Sequence, residues 1–176
     1  VSAPSPGLPR FAVTVYQIAG APTASLLLQD RCGVDVNVLL YAAFVGAVRG
    51  GSLDAEDVAH AIGRVGAWQT EVVGPLRTLR RRLKAGPAPA PTSATDALRQ
   101  RVKALELDAE LLELHELSAL ADGFVVTTST GSPSERAAAA MNVVVCCAAG
   151  RGPDAEERGA IETIAAAAAR YREGVG

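Results

Sequence analysis

The chain has 176 residues and a formal net charge of −2. Hydrophobic residues make up 49% of it, but 34 are alanine and only seven are aromatic, so the composition favours helices with few large core side chains. It excludes collagen and cysteine-stapled scaffolds, offers no run of ~18 apolar residues to cross a membrane, and lacks the basic excess of a dedicated nucleic-acid binder.

Residues 1–9 hold three prolines and a glycine, which predicts disorder, and they carry no charged segment followed by an apolar one, as a secretory signal would. From Phe11 the pattern is helical: Phe11, Val15 and Ile18 share a face, and Gly20 ends the run. Pro22 suits the first turn of a second helix that stops at Gly33. Asp35 is a good N-cap for a third, along which Val36, Leu39, Leu40, Ala43, Phe44 and Ala47 recur at helical period. Asp54 caps a fourth, with Val58, Ile62 and Val65 as its stripe. Trp68, Val72, Leu76, Leu79 and Leu83 continue the helical pattern. Pro75 removes a donor and crowds the carbonyl of Glu71, predicting a kink or break.

Residues 85–94 (AGPAPAPTSA) read as a proline/alanine linker. A long helix is expected from about Thr95 to Asp122, with Leu98, Val102, Leu105, Ala109 and Leu112 as a heptad-like stripe. VVTTST at 125–130 is β-prone but isolated. Ser132 with Glu135 forms a capping box ahead of a helix rich in Val and Ala, and a last helix starts near Pro153. The prediction is an all-α helical bundle of six to eight helices. Its expected organisation is a disordered N-terminus at 1–9, a helical core domain at 10–122 and a C-terminal helical extension at 123–176. The extension, with alanine runs at 137–140 and 165–169, is expected to contribute little burial.

Three segments together, LLLQDRCGVDVNVLLYAAFVG (26–46), WQTEVVGPLRTLRRRLK (68–84) and LRQRVKALELDAELLEL (98–114), resemble an uncharacterised bacterial family of small helical proteins, a domain of unknown function. The likeness spans roughly residues 10–121 and leaves 123–176 outside. It implies a cytoplasmic helical domain and no particular reaction.

Four constellations could carry function. Gln29, Asp30, Arg31, Asp35 and Asn37 cluster around one interhelical turn. With Trp68 and with Arg77 just past Pro75, the residues Asp30, Arg31 and Asn37 are the candidate lining of a polar ligand pocket between the 22–48 helices and the Trp68–Arg77 segment. The competing reading makes Asp35 a cap, Arg31 a clamp and Trp68 a core residue. A second group is basic: Arg77, Arg80, Arg81, Arg82 and Lys84 before the linker, and Arg99, Arg101 and Lys103 after it. A hairpin would bring these to one pole able to bind an anion, RNA or an acidic protein surface. The absence of interleaved aromatics argues against nucleic acid.

The third is a charge split along the long helix. Arg99, Arg101 and Lys103 precede Glu106, Asp108, Glu110, Glu113 and Glu116, an order opposed to the helix dipole. An antiparallel copy of the same helix would offset it, predicting a homodimer through residues 95–121; pairing with arginines of the same chain is the alternative. The fourth is cysteine and histidine chemistry. Cys32, Cys146 and Cys147 imply no disulfide framework and fit a reducing cytoplasm. His60 and His115 have no metal-site spacing, so the sequence nominates no catalytic residue, no metal site and no cofactor. The leading expectation is an accessory, adaptor or regulatory protein acting by protein–protein contact. Small-molecule binding or enzymatic use of the polar pocket comes next, and RNA or phosphate binding at the basic pole third.

Overall fold

The computed structural model describes residues 7–123 and 130–173, with side chains to Tyr171. Eight α-helices are present among them: α1 (Leu8–Tyr16), α2 (Ala21–Cys32), α3 (Val36–Phe44), α4 (Ala55–Trp68), α5 (Gly74–Arg82), α6 (Ser93–Gly123), α7 (Pro133–Ala149) and α8 (Ala155–Glu173). Two π-helical segments, Val45–Arg49 and Gln69–Val73, extend α3 and join α4 to α5, so the chain forms seven continuous rods and no described strand. The all-α bundle is as expected. The VVTTST segment falls almost entirely outside the described residues.

Local chemistry places most helix ends where the sequence suggests. The Asp35 carboxylate accepts the Asn37 backbone N–H at 2.8 Å to cap α3. Asp54 with Asp57, and Ser132 with Glu135, close reciprocal capping boxes. Gly33 and Gly50 take the left-handed conformation that ends their helices. At the other end of the chain, α1 already begins at Leu8, whose side chain is fully buried. The expected disorder therefore does not extend to Leu8 and Pro9: proline is tolerated in a first helical turn, and burial of Leu8 holds that turn.

Pro75 does not break the rod. The preceding turn widens instead, and the Gly74 N–H bonds the carbonyl of Gln69, five residues back. A π-helical turn shifts the register where proline would otherwise clash with its own helix.

One core runs through the molecule. Phe11, Leu28, Leu39, Phe44, Val58, Leu117, Met141, Val145 and Ile164 belong to a single buried cluster, with Phe11 edge-on to both Phe44 and Tyr171. The α7–α8 hairpin packs on α2, α3 and the first π segment, so residues beyond 123 complete this core. Alanine serves here because it lets helices approach closely. Val144, Val145, Ile161 and Ile164 supply the larger side chains, so the extension buries more than its alanine runs predict. Neither α5 nor α6 before Leu114 contributes to the cluster. They form an antiparallel hairpin that packs on itself and leaves a groove against α1. Among the described residues, no single helix is long and apolar enough to cross a membrane.

Candidate functional site: a groove between α1, α5 and α6

A groove of about 580 Å³ opens between α1–α2, the start of α3, and the α5–α6 hairpin. Its position follows from helix faces. Leu8, Phe11 and Val15 of α1 point into the core, which turns Val13 and Tyr16 outward into the groove. Across from them α6 contributes Leu107 and Leu111, and α2 contributes Leu26. These five apolar side chains all remain partly open to solvent.

The polar wall is built from ion pairs. The Arg77 guanidinium donates to Glu106 at 3.2 Å and to Glu110 at 2.7 Å, and Arg80 donates to the same Glu106. Burial raises the pKa of Glu106, but Arg80 and Arg77 outweigh it and leave the carboxyl below its usual value. For Glu110, held by Arg77 alone, the effect of burial wins and the carboxyl stays above its usual value. Arg77 itself loses hydration on burial, yet Glu110 and Glu106 keep its pKa raised. Burial likewise raises the Tyr16 phenol, reinforced by Glu110.

Behind this wall lies Glu113, 1% exposed. Its polar neighbours Asp35 and Asn37 both line the groove. Burial first, and the Asp35 carboxylate second, push the Glu113 pKa up to about 9. A protonated Glu113 can sit beside Asp35 without like-charge repulsion.

Of the five candidate pocket residues, Asn37 and Arg77 line the groove; Asp30, Arg31 and Trp68 do not. Asp30 is exposed at the end of α2. Arg31 clamps the start of α8, pairing with Asp154 at 2.6 Å, Glu156 at 2.7 Å and Glu157 at 3.3 Å. Glu157 also takes both arms of Arg151 at 2.7 Å, and Arg151 leads the interactions holding its carboxyl far below the ordinary range. The acidic partners lie more than 120 residues further along the chain, so nothing near Arg31 in the sequence marks them. Trp68 is 38% exposed, not a core residue; its indole N–H donates to the Ala109 carbonyl at 3.0 Å.

The basic residues divide in the same way. Arg77 and Arg80 are paired in the groove wall, and Arg99 pairs with Asp96 within α6. Arg81 and Lys103 line the groove, while Arg82, Lys84 and Arg101 are exposed. The predicted basic pole is thus partly neutralised. The acidic half of α6 is also engaged inside the chain, since Glu116 pairs with Arg64. Three of the five acids, Glu106, Glu110 and Glu116, thus pair with arginines of the same chain, as the alternative reading expected.

The sequence offered Glu106, Glu110 and Glu113 either to a second copy of the helix or to arginines of the same chain, not to a groove. Their spacing of four and three residues puts them on one helix face, and that face packs inward. Tyr16, Val13, Leu26, Leu107 and Leu111 carried no signal, because a groove wall has no period of its own. No His, Cys, Ser or Thr lines the groove, and among the described residues no cluster of three His, Cys, Asp or Glu could hold a metal ion.

No curated protein and no solved structure matches the chain. The family described as Protein of unknown function (DUF2390) matches residues 8–117. That span contains every residue lining the groove and stops short of α7 and α8. The chain therefore belongs to this DUF2390 family and carries a helical hairpin beyond the part that defines it.

Proposed function

We propose that the protein is an accessory factor that acts by protein–protein contact, its groove taking the apolar face of an amphipathic, acidic helix from a partner. The observation that supports this is the composition of the groove. Val13, Tyr16, Leu26, Leu107 and Leu111 form an apolar strip open to solvent. Such a strip rimmed by charge is characteristic of an interaction site. Spaced apolar side chains of a helix would fill it. Arg77 and Arg80 are balanced by Glu106 and Glu110, which leaves Arg81 and Lys103 to attract acidic residues on the incoming helix. The three cysteines are free thiols, which supports work in the reducing cytoplasm.

A photo-crosslinking residue placed at Leu111 in the native host tests this. We expect one discrete protein adduct, lost when Leu107→Glu is added. The same residue at Ile62, exposed on α4 away from the groove, gives none. Absence of a protein adduct at Leu111, or identical adducts at both positions, overturns the reading. A second reading, a small amphipathic ligand, is favoured by the buried Glu113 carboxyl behind Asp35 and Asn37. A small-mass adduct at Leu111 in place of a protein would select it.

A further inference from the structure

The groove occupies one flank of α6; the opposite flank carries a second surface. Leu98, Leu105 and Leu112 are 46%, 56% and 54% exposed. They were expected to face inward with Val102 and Ala109. The helix instead buries Val102, Glu106, Ala109 and Glu113, because Arg77 and Arg80 pull Glu106 toward α5. The leucines are left one step around, outside both core and groove. Trp68, bonded to the Ala109 carbonyl, stands next to them and is also exposed.

Between the leucines fall Arg101 and Asp108. The order Leu98, Arg101, Leu105, Asp108, Leu112 runs in steps of three and four, the spacing of a two-helix seam. Neither Arg101 nor Asp108 has an ion-pair partner among the described residues, whereas Glu106, Glu110 and Glu116 all do. The surface therefore has three apolar anchors and two free charges of opposite sign, one on each side of Leu105.

We infer that this face pairs with the same face of a second copy of the chain, antiparallel about a two-fold axis near Leu105. In that arrangement Leu98 of one copy lies against Leu112 of the other, the two Leu105 side chains meet at the axis, and each Arg101 reaches the opposing Asp108. Parallel pairing would set Arg101 against Arg101 and Asp108 against Asp108, so the two charges select the antiparallel form. A two-fold interface needs one self-complementary patch, and this sequence of anchors and charges is self-complementary. The dimer leaves the groove free on both copies, so it stands or falls independently of the function proposed above.

The test is the molar mass in solution, by light scattering coupled to size exclusion, across the micromolar range. The wild type is expected at twice the 18.1 kDa of the chain. Leu105→Glu, which sets two carboxylates against each other at the axis, is expected to give the monomer with an unchanged circular-dichroism spectrum and a melt that no longer depends on protein concentration. Arg101→Asp and Asp108→Arg are each expected to weaken dimerisation about 10-fold, and the double exchange to restore it to near wild type. A monomeric wild type, a dimer that survives Leu105→Glu, or single exchanges that change nothing would each overturn the inference.

Discussion

Glu113 gathers the opposing forces of this protein at one side chain. It is buried and faces a second carboxylate, that of Asp35. With a folded pKa near 9 against an ordinary 4.5, the folded state keeps a proton that the unfolded chain loses. Stability from this site is complete below about pH 4.5 and falls as pH rises through 9. The ceiling is about 1.4 kcal/mol per pH unit. Glu113→Gln is neutral and nearly isosteric. We expect it to flatten this slope and to raise the melting temperature at pH 8, with little effect near pH 4.5; thermal unfolding against pH measures it. Glu157 shows the reverse case. It is just as inaccessible, but Arg31 and Arg151 grip it and hold it ionised. Burial alone decides neither case; the partner does.

At the scale of elements, the two π segments adapt straight helices to their surroundings. The one before Pro75 absorbs a proline expected to kink or break the helix. The one after α3 brings Gly46 against α7 so closely that a Cβ there would lie 2.5 Å from the Arg136 carbonyl oxygen and 2.6 Å from the Ala137 nitrogen. Backbone atoms cannot yield as a flexible side chain can. Arg136 also donates to the Gly46 carbonyl at 3.0 Å across the same contact. Gly46→Ala is expected to cost about 1–3 kcal/mol, the usual range for overpacking, read as a lower denaturant midpoint. In the same chain Gly63→Ala on α4 meets open space and is expected to be neutral or slightly stabilising.

For the whole molecule, one core runs across residue 123. The α7–α8 hairpin covers α2, α3 and the first π segment, and Tyr171 of α8 packs on Phe11 of α1. A chain ending at Gly123 would leave Leu28, Leu39 and Phe44 with water where Met141, Val145 and Ile164 now lie. We expect that truncation to lose its cooperative thermal transition and to bind a hydrophobic dye, even though it retains the whole span that matches the family. α5, and α6 before Leu114, lie outside that core, and the α5–α6 hairpin carries one wall of the groove as well as the leucine flank. The molecule thus separates a core from the part of a hairpin that bears both proposed contact surfaces.

The sequence alone determined the helices: their caps at Asp35, Asp54 and Ser132, their glycine stops at Gly33 and Gly50, and the all-α class. These are local effects, set within a few residues by hydrogen bonding and backbone freedom, so local pattern suffices to read them. The rotation of each helix about its axis is a different matter. Whether Leu105 or Glu106 faces inward depends on Arg77 and Arg80, more than twenty residues away, and no period along α6 contains that information. The partners of Arg31, the exposure of Trp68 and the burial of Glu113 were settled in the same way by distant charges and by the helices packed against them. Only the tertiary structure could therefore bring Asn37 and Arg77 to one groove and send Asp30, Arg31 and Trp68 elsewhere.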